Sequence, residues 1–251
     1  MSCVTIRGCT IGEGRPKVIL PIVERTEAAI LEKAAAFSTL HADCVEWRVD
    51  WFESVRNASA LARCLQKLRV LLKEKLLLVT FRTKEEGGEL PLSHTEYLDL
   101  IHLILDTDCA DLIDIEFFTA GADLSALIAD AHTAGVAVVC SSHDFHKTPP
   151  KGELVSRMVQ MQQAGADLPK LAVIPQSRTD VLELLSATAE MADHHPETPV
   201  ITMSMGALGA VSRLSGEAFG STMTFANPGQ ASAPGQVPLD IVNEVLDALH
   251  L

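Results

Sequence analysis

Eight short β-rich runs recur along the chain at the spacing of a strand plus a helix, and this repetition constrains the fold more than any single motif. The runs span 17–22, 44–49, 76–82, 111–117, 136–141, 170–174, 200–205 and 221–225. Between them lie helical patterns at 24–40, 58–72, 93–105, 124–134, 152–164, 178–194 and 208–216, with a last helix after the eighth strand. Strands separated by helices form parallel sheets, because a crossover of a dozen or more residues is needed to bring the chain back to the same end. Eight such units predict a closed α/β architecture, the (β/α)8 TIM barrel, and 251 residues is an ordinary length for one. An open doubly wound sheet is the rival, but it usually carries a glycine-rich phosphate loop after an early strand. Gly12-Glu-Gly14 lacks a third glycine at position 17, and Gly206-Ala-Leu-Gly209 is equally incomplete. The segment 3–14 alternates weakly and predicts an N-terminal β-hairpin closing the barrel floor. No low-complexity linker divides the chain, so a single barrel domain is expected over 1–251.

Composition narrows the partners. Hydrophobic residues make up 47% and charged residues 21%, and no stretch has the high charge and low hydrophobicity of a disordered tail. A formal net charge of -13, without any local cluster of Lys and Arg, argues against nucleic acid and anionic membrane as partners. An anionic ligand must then be met by a few focused arginines. The six cysteines form no CxxC pair and several lie in apolar runs, which predicts reduced, structural thiols. The N-terminus lacks a basic segment followed by a long apolar stretch, and no run reaches the ~18 apolar residues of a membrane span, so a cytoplasmic protein is expected.

Chemistry concentrates on Lys170. It opens the apolar run Lys170-Leu-Ala-Val-Ile-Pro175, directly after Ala164-Gly-Ala-Asp-Leu-Pro169, and is expected to be buried. Burial disfavours the ammonium form, so such a lysine is either paired with an acid or held partly neutral as a nucleophile toward a carbonyl carbon. His143 ends the preceding run, Val136-Ala-Val-Val-Cys-Ser-Ser-His143, where it can act as a proton shuttle. Lysine and histidine together suggest a carbonyl-processing enzyme. If Lys170 starts its strand, its amine must reach upward to the C-terminal rim, and small Ala172 leaves space above it.

Strand parity exposes further charges inside the barrel. Glu46 and Arg48 share a face with Cys44, Arg82 with Thr80, and Asp114 with Glu116, where ordinary barrels place Val, Ile and Leu. These charges either pair with one another or meet a polar ligand, and Arg48 and Arg82 lie at the expected ligand-binding rim. The loop Arg82-Thr-Lys-Glu-Glu-Gly-Gly-Glu89 either is a solvated acidic loop or places one carboxylate over the mouth, where it orients His143. Arg213, in the helical stretch after the seventh strand, can offer a bidentate fork to a carboxylate. His146 reads as a loop histidine, and no helix carries a metal-ligand pair, so no metal is expected.

The chain resembles the type I 3-dehydroquinate dehydratases. The likeness rests on Val45-Glu-Trp-Arg-Val-Asp50, Thr80-Phe-Arg-Thr83 with Glu-Gly-Gly at 86 to 88, Ser142-His-Asp-Phe145 and Gly165-Ala-Asp-Leu-Pro-Lys170. It continues through Met203-Ser-Met-Gly206, Ser212-Arg-Leu-Ser215, Phe219-Gly-Ser221 and Ala231-Ser-Ala-Pro-Gly-Gln236. The resemblance implies a (β/α)8 barrel, a homodimer, that dehydrates 3-dehydroquinate to 3-dehydroshikimate in the shikimate pathway without a cofactor. It makes Lys170 the imine-forming lysine, His143 the proton shuttle and Glu86 the carboxylate that orients it. Arg213 would bind the substrate carboxylate, with Glu46, Arg48, Arg82, Ser232 and Gln236 on hydroxyl or other polar groups. Met203, Met205 and Phe225 would line the pocket. Two departures stand out: Pro21 occupies a position where many members carry serine, and Asn227-Pro-Gly-Gln230 lacks the lysines often seen there. Two other readings fit the residues, an aldolase-type Schiff-base barrel and a barrel that binds an anionic metabolite without turnover; the latter has no need for Lys170.

Overall fold

The computed structural model describes residues 2–229 and 233–251. Two short strands, β1 (Val4–Ile6) and β2 (Cys9–Ile11), pair antiparallel. Their turn places Arg7 at φ 48 and Gly8 at φ 79, the positive-φ pair that matches the twist of a tight hairpin. The parallel strands follow: β3 (Lys17–Ile22), β4 (Cys44–Arg48), β5 (Leu76–Thr80), β6 (Leu112–Glu116), β7 (Ala137–Asp144), β8 (Leu168–Val173), β9 (Ile201–Ser204) and β10 (Met223–Asn227). The two-residue strand β11 (Val237–Pro238) adds to β10.

Each barrel strand pairs with the next, and β10 returns to pair with β3. The seam between β9 and β10 is closed by the bridge Val200 to Ser221 and by the Ser221 hydroxyl, which accepts from Thr202 N at 3.0 Å. The sheet thus curls into the predicted (β/α)8 barrel. Helices Glu27–Phe37, Ala58–Leu72, His94–Leu105, Leu124–Thr133, Lys151–Gln163, Arg178–His194, Gly206–Leu214 and Leu239–Ala248 wrap its outside. Several start at the oxygen-bearing side chains that a helix N-terminus needs: Thr26, Asn57, Ser93 and Ser177 each accept from a first-turn N–H.

Alternation divides the strands into two apolar sets. Outward residues such as Val45, Trp47, Leu77, Val79, Ile113, Ile115, Leu171 and Val173 pack under the helices. Inward residues Ile19, Cys44, Leu76, Leu112, Leu168 and Ile201 fill the lower barrel and pack with Ile11, so the hairpin does cover the floor. None of the six cysteines is in a disulfide, and Cys44, Cys64, Cys109 and Cys140 are buried. Among the described residues no helix is long and apolar enough to cross a membrane.

Two strands run further than the sequence suggests. Pairing on β7 continues through Leu168 to Val139 and Pro169 to Cys140, so Lys170 is the third residue of β8 and not its first. Pro169 lacks an N–H and reads as loop punctuation, yet the ladder passes through it. β7 continues to Asp144, which puts His143 on the strand opposite Ala172.

Candidate active site

Above the apolar floor the barrel interior turns ionic and opens at the C-terminal ends of the strands into a cavity of about 230 Å³. Lys170 lies at the base of this cavity, 2% exposed, with its Nζ 3.0 Å from Asp114 Oδ2 and 5.0 Å from the centre of the Phe225 ring. Its midstrand position shortens the reach that a lysine at the strand start would need. Ala172, the next inward residue of β8, also lines the cavity and leaves the space above the amine open.

Asp114 is fully buried and holds three donors: Lys170, Arg82 Nη2 at 2.8 Å and the Ser141 hydroxyl at 2.6 Å. Burial by itself would push this carboxyl up, but Arg82, Lys170 and the hydrogen bonds from Ser141 and Arg82 together hold it at about 2. Asp114 is therefore a fixed anion. Arg82 lies beyond the end of β5, 4% exposed, and also donates to Glu116 Oε1 at 2.8 Å. Its acids outweigh the burial that would lower it and keep it firmly charged. Glu116 in turn accepts from Thr83 N and Oγ1 and from Thr119 Oγ1. Of the two readings open for these charges, pairing accounts for Asp114 and Glu116, while Arg82 pairs with both and still faces the cavity.

His143 sits one inward position above Lys170, on the neighbouring strand. Its Nδ1 lies 2.8 Å from Glu86 Oε2, and the same oxygen accepts its backbone N–H at 3.0 Å. Glu86 is brought there by a tight turn in which Glu86 N and Gly88 N both donate to Thr83 O. Gly87 has φ 85, and a Cβ on Gly88 would fall 1.9 Å from Arg82 O, so the Glu-Gly-Gly sequence is what permits this turn. Of the two readings of the loop, the structure shows the second geometry: Glu86 is 6% exposed and bonded to the histidine. Burial pushes the Glu86 carboxyl up to about 8 against the pull of Arg82, with Glu116 and Asp114 adding to the rise. Burial also drives the His143 ring well below the ordinary histidine value, and Arg82, Lys170 and Arg48 add to that. The two directions together describe a pair without net charge near neutrality that shares one proton as a unit. Such a pair can both give and take a proton.

The remaining predicted residues line the same cavity: Glu46, Arg48, Met203, Met205, Arg213, Phe225 and Gln236. Glu46 accepts from Thr80 Oγ1 at 2.9 Å, and Arg48 makes a two-point contact with Asp50, 2.8 Å at each oxygen. Arg213 is different. It is 2% exposed in the last turn of helix Gly206–Leu214, donating to Pro234 O at 3.2 Å and weakly toward Met203 Sδ at 3.5 Å. Among the described residues its Nε has no partner and no carboxylate pairs with it. Burial lowers it to about 10. A desolvated guanidinium without an anion is costly, and an anionic ligand in the cavity would offset that cost.

The family model of type I 3-dehydroquinase matches residues 18–251. The chain belongs to the type I 3-dehydroquinase family. As a member it is a lyase of the hydro-lyase class, EC 4.2.1.10. It is 48% identical over 250 residues to the 3-dehydroquinate dehydratase of Bacillus subtilis, covering 100% of this chain and 98% of the relative. The type I 3-dehydroquinate dehydratase of Clostridium difficile, solved with covalent modified comenic acid, superposes with a TM-score of 0.96 at 44% identity, covering 99% of this chain and 98% of that one. The Enterococcus faecalis 3-dehydroquinate dehydratase gives 0.93 at 42%, covering 99% and 100%.

Against this family frame, the structure brings together every site residue the sequence singles out except Ser232, which lies outside the described residues. His146 is exposed and away from the cavity. Sequence reasoning assigned nothing to Trp51, Phe145, Ala233 and Pro234, which also line it. Phe145 follows His143 within a quoted motif, and Ala233 and Pro234 adjoin Ser232 in another, so adjacency was the available signal. Pro21 pairs with Glu46 in β3 but is not part of the cavity wall. Among the described residues no group of three His, Cys, Asp or Glu could hold a metal ion.

Proposed function

We propose that this chain dehydrates 3-dehydroquinate to 3-dehydroshikimate through a Schiff base on Lys170, as a step of the shikimate pathway leading to chorismate and aromatic amino acids. The observation that carries this reading is the pairing of functions across one cavity: a buried amine at its base and a buried guanidinium without an anion on its wall. A keto acid satisfies both at once. The neutral amine attacks the ketone to give a carbinolamine, which takes up a proton on its hydroxyl and loses water to form a protonated imine. That cation acidifies the adjacent carbon. A base removes a proton there, the electron pair of the resulting enamine expels the β-hydroxyl, and the hydroxyl leaves as water after taking up a proton. Hydrolysis of the remaining imine returns the amine and releases an enone.

Asp114 is a weak base, because Arg82, Lys170 and Ser141 stabilise its carboxylate and leave it little tendency to take up a proton. It is instead the fixed counter-ion, 3.0 Å from Nζ, for the cationic stages. Proton transfer falls to His143, oriented by Glu86 at 2.8 Å. Arg213 holds the carboxylate by a charge-assisted contact, and Glu46, Arg48, Arg82, Ser232 and Gln236 meet hydroxyl or other polar groups, with Met203, Met205 and Phe225 as apolar walls. A relative that holds covalent modified comenic acid is in keeping with a nucleophile in such a pocket. Within this reading 1–251 is one barrel domain that works as a cytoplasmic homodimer, without a cofactor, metal, nucleic acid or membrane partner.

The aldolase-type and non-catalytic readings are separated from this one by incubation with 3-dehydroquinate. The expected result is a conjugated enone with every ring carbon retained, formed by the native chain and not by Lys170→Ala. Carbon–carbon cleavage, or binding without a product, would contradict it.

A further inference from the structure

The structure assigns Asp50 as a positioning residue that fixes the Glu86 loop and aims Arg48 with the same carboxylate. The inference rests on the reading of Glu86 and His143 given above. Asp50 is 1% exposed, in the single 3-10 turn Val49–Trp51 that follows β4, and does not itself line the cavity. Its two oxygens are shared out in parallel. Oδ1 accepts from Arg48 Nε at 2.8 Å and from Arg82 N at 3.3 Å. Oδ2 accepts from Arg48 Nη2 at 2.8 Å and from Glu89 N at 3.2 Å.

Arg82 and Glu89 bracket the turn that carries Glu86. Inside it, Glu86 N and Gly88 N both donate to Thr83 O, so the turn is closed on itself and attached to the barrel at its two ends. Both ends hang on Asp50. Arg48, whose side chain faces the cavity, hangs on the same group. A carboxylate that served Arg48 alone would not need the two backbone donors, and one that served the loop alone would not need the fork. Displacing Asp50 therefore disturbs the substrate contact and the proton-transfer pair together.

Asp50→Asn tests this with almost no change of shape, since the new amide must point its N–H at Arg48 or at a backbone N–H. Each arrangement opposes donor to donor. With 3-dehydroquinate as substrate, KM should rise and kcat should fall, each by on the order of tenfold. Borohydride should still trap an adduct, because Lys170 is untouched. A purely structural role would lower the yield of folded enzyme and leave the rate per folded site alone. The pH profile of kcat gives a second discriminating readout. Glu86 is faced by Arg82, Asp114, Glu116 and His143, and its rise to about 8 comes first from burial. A loosened loop lets in solvent, so the limb set by Glu86 should move to lower pH in Asp50→Asn, whereas Arg48→Ala removes a cation that lowers the His143 ring and should not move it in that direction.

In the Arg48→Ala background, Asp50→Asn should keep its kcat loss. Glu89→Pro removes a single donor to Asp50 at an exposed residue and should reproduce the kcat loss and the shifted limb without the rise in KM. That variant carries the test if Asp50→Asn does not fold. Wild-type kcat with an unmoved limb, or a loss that vanishes in the Arg48→Ala background, would overturn the assignment. Failure of the native chain to trap any adduct would count instead against the Schiff-base reading beneath it.

Discussion

The two ends of the barrel use the same residue types for opposite purposes. At the floor, Asp43, Asp111 and Asp167 each accept the backbone N–H of a neighbouring strand: Val18 at 2.7 Å, Leu77 at 2.8 Å and Val138 at 2.7 Å. Asp111 pairs further with Arg69, and Asp167 with His132. These acids precede β4, β6 and β8, so they tie strand starts together in a regular pattern. At the mouth, Asp114, Glu86 and Asp50 hold cavity-facing side chains, and among the described residues Arg213 has no acid paired with it. Where the acids are held by backbone donors and partner side chains from within, the ions serve stability. Where a buried cation is left over, an anionic ligand would supply the missing partner under the proposed function.

Substitutions at the two ends should therefore separate turnover from stability. At the mouth, His143→Ala should slow turnover by roughly 10²–10⁴-fold, the usual range for a positioned acid–base group, while trapped adduct accumulates. Normal turnover would remove His143 from the site. Arg213→Ala should act chiefly on binding, raising KM by roughly 10²-fold, as expected for truncating one side of a buried charge contact. Arg213→Lys should recover only part, because the fork is lost. An unchanged KM in both variants would mean that the uncompensated guanidinium has another purpose.

The acid network predicts a pH signature of stability. Asp114 sits at about 2 in the folded chain against an ordinary 3.8, so its folded form is the more reluctant to take a proton. Its contribution, about 2 kcal/mol, is present above pH 4 and is lost as pH falls through about 2. Urea unfolding at a series of pH values should show that loss, and Ser141→Ala, which removes a 2.6 Å bond to Asp114, should reduce it. A flat stability between pH 4 and 2 would contradict the assignment. The smallest effect on catalysis belongs to the floor. Asp111→Asn should cost about 1–3 kcal/mol of stability through Leu77 N and Arg69, with kcat and KM unchanged. A change in KM there would break the division between the two ends.

Much of this contrast was legible in the chain itself, for a physical reason. Hydrophobic alternation is a local property, so the eight strands and the inward parity of Glu46, Arg48, Asp114 and Glu116 could be read residue by residue. Lys170 stood out because an apolar run rarely opens with an ammonium group. Pairing across strands is not local. The extension of β8 below Lys170 depends on its ladder with Val139 and Cys140, and Pro169 disguised it. Asp114 as the partner of Lys170, 56 residues away, and Asp50 as the anchor of two separate segments appear only once the sheet curls. The lack of a carboxylate partner for Arg213 among the described residues is likewise invisible in sequence, since it consists of what the folded surroundings fail to supply.

The central claim is that the buried amine of Lys170 forms the covalent bond. Borohydride reduction of the native chain with 3-dehydroquinate, followed by peptide mass mapping, tests it directly. The account predicts one stable adduct, on the peptide containing Lys170, absent from Lys170→Ala and present in Arg213→Ala at higher substrate concentration. Turnover without any trapped adduct, or an adduct on a different lysine, would contradict it.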